Sequence, residues 1–154
     1  MEDVTQLPFN RTIGLEPAPA DSGFLVALPA GPRYGNHLGT VHASALLAVA
    51  EAGSGAFLLR AVGTADGLVP VVRRLEAKFR HPATGRVAAR AVVPDGEVGR
   101  WVAELARRGR VSAAVPVEVA DAAGVVVLAA TVEWFITRTA LPPATDSETG
   151  RDLG

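Results

Sequence analysis

A long apolar run, from Val41 to about Val62, is the feature that most restricts how this chain can fold. The run is rich in Ala and Leu and poor in β-branched residues, which favours a helix over a strand. At about 1.5 Å per residue the helix would be roughly 30 Å long. Between Val41 and Leu59 the only formally charged side chain is that of Glu51. Such a helix needs cover on nearly every side, from protein or from lipid.

The run also has the length of a membrane span, so the two environments must be weighed. Glu51 lies near its centre, and a charge at mid-bilayer costs about 2.5–3.5 kcal/mol even on the lenient insertion scale. Gly53, Ser54 and Gly55 follow directly, and no other part of the chain resembles a membrane segment. We therefore expect a helix buried inside a globular protein, with no membrane partner.

The overall composition excludes several classes of function. The chain has 154 residues, 49% of them hydrophobic and 20% charged, which is typical of one globular domain. Its net charge of −1 gives no general attraction to nucleic acid. It has no cysteine, so disulfides, thiolate chemistry and cysteine-bound metals are excluded. The three histidines, His37, His42 and His81, have no recognised metal spacing, and we predict neither a metal site nor a cofactor.

Two features indicate a cytoplasmic protein. The absence of cysteine fits a reducing compartment. The first fourteen residues carry acids at positions 2 and 3 and lack the apolar stretch of a signal peptide.

The remaining sequence predicts mainly strands. Glu97 to Arg108 reads as a short helix or a loop, and the HPATG segment from His81 to Gly85 is expected to join two strands as a hairpin. The last strand is apolar on both faces, which calls for the long helix on one face and a second subunit on the other. The predicted strands are residues 23–29, 68–80, 86–94, 111–120 and 125–137.

This order predicts an α+β domain in which an antiparallel sheet curls round one long helix. Residues 1–22 form an N-terminal segment with at most a short helix or turn around Leu7 to Leu15. Residues 23–139 form the domain. Residues 140–154 are polar and rich in Pro and Gly, and we expect a disordered tail.

The loop that enters the helix, NHLGTVHASALLAVAE at residues 36–51, resembles the active-site segment of PaaI-type hotdog thioesterases. That family, named for phenylacetic acid degradation, has an Asn, a Gly three residues on, a His three further and an acid nine beyond the His. Asn36, Gly39, His42 and Glu51 stand at those positions. Two positions differ: the family's glycine pair after the His is Ala43-Ser44, and Glu replaces the commoner Asp.

The resemblance implies a hotdog fold, with five or six strands round the helix, and hydrolysis of an acyl-CoA-type thioester. The backbone N–H of Ala43, with that of Ser44, would stabilise the oxyanion at the helix start, beside His42. Asn36 would hold the same carbonyl. Glu51 would be general base or nucleophile, its pKa raised by its apolar surroundings.

The resemblance also implies an oligomer. Glu51 lies roughly 13 Å along the helix from His42, too far for one side chain to serve a carbonyl at its own helix start. In hotdog dimers the acid comes from the opposite chain, so we expect a homodimer or homotetramer. Substrate contacts are assigned to Gly39, Ser44, Ser54 and Arg80.

Two other functions stay open. The missing glycine pair also fits a hotdog domain that binds an acyl thioester without catalysis. A hydratase or dehydratase would pair an acid with a His, and Asn36 at the expected position of that acid argues against this function.

Overall fold

The long helix is the centre of the molecule. The computed structural model describes residues 3–63 and 67–139, and the predicted tail at 140–154 lies outside them. The expected helix is present as α2, Ala43–Val62. The segment from Glu97 to Arg108, for which the sequence allowed either a helix or a loop, forms a helix, α3. The helices are α1 Pro8–Thr12, α2 Ala43–Val62 and α3 Glu97–Arg108. The strands are β1 Glu16–Pro17, β2 Val26–Leu28, β3 Leu68–Phe79, β4 Val87–Ala91, β5 Arg110–Asp121 and β6 Val126–Arg138.

One antiparallel sheet of six strands packs round α2, in the order β1-β2-β4-β5-β6-β3. The helix contacts β2, β4, β5 and β6, so its cover is protein. By length and composition α2 is the one described helix that could cross a membrane, and it is instead the core helix of this sheet. The predicted α+β class, with five or six strands round a central helix, is confirmed.

The predicted hairpin at HPATG is wrong. β3 pairs with β6 at one edge of the sheet, whereas β4 lies between β2 and β5. The connecting segment instead packs beside the start of α2, where the carbonyl of Ala83 accepts a hydrogen bond from the N–H of Val41 at 2.8 Å. The sheet is curled round the helix, so a short link can carry the chain between strands that are not neighbours.

Helix and sheet approach closely at two glycines. A Cβ added to Gly53 would lie 2.6 Å from the Cβ of Ala89 on β4, and one added to Gly55 would touch the ring of Trp134 on β6. These glycines therefore allow α2 to lie directly on the sheet. The ring of Trp134 thus fills the space beside Gly55.

The N-terminal segment is attached to the domain by its own contacts. Val4 and Leu15 are buried in the core, and β1 pairs with β2. The hydroxyl of Tyr34 donates to the carbonyl of Ile13 at 2.5 Å. A short helix, α1, lies within the predicted region between Leu7 and Leu15.

Candidate functional site

The loop before α2 is closed by the side chain of Asn36. Its Oδ1 accepts the backbone N–H groups of Leu38 at 2.9 Å and Thr40 at 3.1 Å. Its Nδ2 donates to Oγ1 of Thr40 at 2.9 Å. The two accepted bonds fix the orientation of the amide, so Nδ2 keeps a second N–H for a ligand. Gly39 completes the turn with φ of +74°, a conformation that favours glycine.

His42 caps the helix that follows. Its Nδ1 accepts the N–H of Ser44 at 3.0 Å, and its own N–H donates to the carbonyl of Tyr34 at 2.7 Å. The carbonyl of His42 accepts the N–H groups of Ala45 and Leu46. The N–H of Ala43 has no partner among the described residues. At this helix start, therefore, Ala43 offers the donor while the N–H of Ser44 is already engaged.

A cleft of about 300 Å³ brings three of the proposed site residues together. These are Asn36, Ala43 and Arg80. Gly39 lines a different cleft of about 540 Å³ on the other side of the same loop, which also contains Asn36. The first cleft is completed by Leu38, Thr40, Val41, Leu46, Phe79, His81, Pro82 and Ala83.

Glu51 does not line the cleft that contains Asn36 and Ala43. It lies eight residues after Ala43 on α2, about 12 Å along the axis. The side chain is half-buried, and its carboxylate makes no hydrogen bond or ion pair within residues 3–63 and 67–139. Burial raises the pKa of the Glu51 carboxyl above its ordinary value. Within the described residues, Glu51 and the cleft lined by Asn36 and Ala43 thus occupy separate places.

Ser54, assigned to substrate contact, has an internal role instead. It is fully buried, and its Oγ donates to the carbonyl of Glu51 at 2.7 Å. The same oxygen accepts the indole N–H of Trp134 at 2.9 Å. Ser54 therefore ties the turn that carries Glu51 to strand β6, and it does not reach the cleft.

Sequence reasoning missed several residues that shape the site. Thr40 anchors the Asn36 amide, and the carbonyl of Tyr34 holds the start of α2. The spacing N-x-x-G-T is a turn signature that could have identified Thr40. Leu38 and Phe79 come from segments far apart in the sequence, so no local pattern could have paired them. No group of three His, Asp or Glu side chains within the described ranges could hold a metal ion.

Comparison with protein families identifies the chain. A family described as a domain of unknown function, DUF4442, matches residues 4–136. The chain belongs to the DUF4442 family. No curated protein matches this DUF4442 chain.

Solved structures confirm the hotdog fold of this DUF4442 domain. A protein of unknown function and probable thioesterase from Pseudomonas aeruginosa, PA5026, aligns with a TM-score of 0.73 at 22% identity, over 88% of this chain and 91% of its own. BH2602 from Bacillus halodurans, solved with CoA, gives 0.56 at 24% identity over 72% and 65%. A mutant of the thioesterase SAV0944 from Staphylococcus aureus gives 0.59 at 15% identity over 84% and 98%.

Proposed function

We propose that this DUF4442 domain hydrolyses an acyl-CoA-type thioester to a carboxylic acid and a free thiol. The observation that carries the proposal is the unpaired N–H of Ala43 beside the Asn36 amide in one cleft. Two hotdog proteins of similar fold are named as thioesterases or probable thioesterases, and another was solved with CoA.

The first half of the site binds the thioester carbonyl. Its oxygen accepts hydrogen bonds from the N–H of Ala43 and from the second N–H of the Asn36 amide. As the carbonyl carbon becomes tetrahedral, charge on this oxygen is stabilised by both donors and by the positive end of α2. Loss of one such donor typically costs about 2.7–4 kcal/mol of transition-state stabilisation.

Glu51 supplies the second half of the site, where it acts as general base or as nucleophile. As a base, it takes a proton from water while the water oxygen bonds to the carbonyl carbon. The C–S bond then breaks and the departing thiolate takes up a proton. As a nucleophile, Glu51 bonds to the carbonyl carbon, the C–S bond breaks and the thiolate leaves and takes up a proton. Water then hydrolyses the resulting anhydride, which releases the acid and restores the Glu51 carboxylate. A carboxyl with a raised pKa and no protein partner among the described residues suits the role of a base.

The spacing between two mutated positions in a similar structure supports the pairing of Asn36 with Glu51. SAV0944 has been solved as a variant of one glutamine and as a variant of one glutamate, and the two positions are fifteen residues apart. Asn36 and Glu51 are separated by the same number of residues. We therefore assign an amide and an acid of this spacing as partners in the reaction.

The acid must then come from a second copy of the chain, because Glu51 does not line its own protomer's cleft. Strand β3 provides a surface for this contact: it is the long edge strand, and Val69, Val71 and Val72 are exposed on it. The unpaired N–H and C=O groups of an edge strand favour pairing with another strand. We propose a homodimer built on this edge; a homotetramer and a cytoplasmic location stay predictions from the sequence.

Binding without catalysis is the second candidate. The observation that favours it is the Asn36 side chain, whose three hydrogen bonds already organise the loop. An amide that only shapes the loop would leave Ala43 as the single carbonyl donor. Tight binding of acyl-CoA without thiol release would favour this candidate.

Release of free thiol from a panel of acyl-CoA esters tests the proposal. The chain contains no cysteine, so the detected thiol comes only from the substrate. We expect Glu51→Ala to lower kcat by orders of magnitude and Asn36→Ala to lower it less. Glu104→Ala, a glutamate substitution on helix α3, is the control. Absence of turnover for every ester, or full activity in Glu51→Ala, would contradict the proposal.

A further inference from the structure

We propose that Leu38 and Phe79 hold the acyl group, and that the substrates are thioesters of apolar acids with a short or medium-length acyl group. This inference rests on the proposed function, because it takes the carbonyl to lie at Ala43 and Asn36. It adds the class of acyl group and the two residues that select it.

The first argument is the exposure of two large apolar side chains at one cleft. Leu38 is 72% exposed and Phe79 is 48% exposed, and both line the cleft that contains Asn36 and Ala43. Single exposed apolar residues are common and need no explanation. Two of them beside an unpaired backbone donor form an apolar surface next to the place where the carbonyl binds.

The second argument is that the cleft is closed at its base. Leu46 and Ala83 line it, and they are only 3% and 1% exposed because they also belong to the core. An acyl group therefore cannot extend between helix and sheet without displacing core side chains. The cleft of about 300 Å³ lies at the small end of ligand pockets, so it suits an acyl group of short or medium length.

The third argument concerns the direction in which the substrate lies in the cleft. Arg80 and His81 line the same cleft and are exposed, and Arg80 makes no ion pair with any described residue. Basic side chains attract the anionic carrier. The carrier accordingly lies on the side of Arg80, and the acyl group lies against Leu38 and Phe79.

The test compares butyryl-, octanoyl- and palmitoyl-CoA. We expect kcat/KM of the wild type to be at least tenfold higher for octanoyl- than for palmitoyl-CoA. Phe79→Ala and Leu38→Ala should each raise the KM for octanoyl-CoA by several-fold to about tenfold. The same variants should change the KM for butyryl-CoA much less, because a shorter chain contacts less of this surface. Both side chains are exposed, so the variants should fold, which thermal unfolding checks.

Phe9→Ala is the matched control, since Phe9 is 64% exposed and lines neither of the clefts beside the loop. Preference for palmitoyl-CoA, or identical chain-length profiles for Phe79→Ala, Leu38→Ala and Phe9→Ala, would overturn this inference and leave the thioesterase proposal standing. If no ester is hydrolysed, the proposed function fails. Calorimetric binding of octanoyl-CoA then decides the acyl site: weaker binding to Phe79→Ala than to Phe9→Ala supports it, and equal binding overturns it.

Discussion

The imidazole Nδ1 of His42 accepts the backbone N–H of Ser44 at 3.0 Å. This hydrogen bond caps α2 and engages one of the unpaired donors at its start. The adjacent N–H of Ala43 is left as the donor that faces the cleft. In the proposed mechanism His42 therefore shapes the oxyanion site as a helix cap and transfers no proton.

Removing the cap should lower stability and activity together. We expect His42→Ala to reduce the free energy of unfolding by about 0.5–2 kcal/mol, the usual effect of losing an N-cap. His42→Asn should restore most of this stability and part of the activity, because Asn is a strong N-cap without an imidazole. Denaturant unfolding and thioester hydrolysis measure the two effects. If Asn restores stability and no activity, His42 has a chemical role of its own.

Glu51 should make stability depend on pH. Burial raises its pKa in the folded protein, so the folded state binds the proton more tightly than the unfolded state. Its contribution is then most favourable below the ordinary pKa and is lost as pH rises through the raised pKa. Glu51→Gln removes the cost of burying an ionised carboxylate, so we expect the variant to be more stable than the wild type at neutral pH. In urea unfolding series the difference should shrink as pH falls through the raised pKa and should be absent below the ordinary value of about 4.5. A difference independent of pH would contradict a buried, unpaired carboxyl.

The contact between α2 and β4 should tolerate no methyl group. Gly53→Ala places a Cβ 2.6 Å from that of Ala89, and we expect a loss of about 1–3 kcal/mol in the free energy of unfolding. Gly99 on α3 has open space around its Cβ position, so Gly99→Ala should be stabilising by up to about 1 kcal/mol. Thermal unfolding compares the two. Equal effects would show that backbone propensity, and not close packing, decides the result.

The edge of β3 should pair with its own copy around Leu75. Arg74 and Glu76 form an ion pair along this exposed strand. An antiparallel pair centred on Leu75 places Arg74 of one chain opposite Glu76 of the other, and the reverse. Because the chain has no cysteine, Leu75→Cys should form a disulfide-linked dimer on oxidation, at the Cα spacing of about 4.5–5.5 Å found in antiparallel pairs. Ala77→Cys is the control and should remain monomeric on a non-reducing gel. A crosslink in Ala77→Cys alone would reject this register.

The sequence predicted those features of the fold that depend on the pattern of neighbouring residues. The apolar run and the alternation in β5 were enough for the helix and the strands. The Asn-Gly-His spacing pointed to Asn36 and Ala43, which line one cleft, and their role as carbonyl donors stays a prediction. Contacts between distant segments were not predictable. The HPATG link was misread because strand order depends on how the sheet curls, and Ser54 was misplaced because its partner, Trp134, is 80 residues away.

The central claim is that one active site takes Asn36 from one chain and Glu51 from its partner. The most direct measurement is hydrolysis by a mixture of two impaired variants, Asn36→Ala and Glu51→Ala, unfolded together and refolded. In a symmetric dimer each mixed pair contains one intact site, so an equal mixture should recover about one quarter of wild-type activity. Each variant refolded alone should stay at its own low activity. If the mixture gains nothing over the two variants measured separately, although mixed dimers form, Asn36 and Glu51 do not act together across the interface.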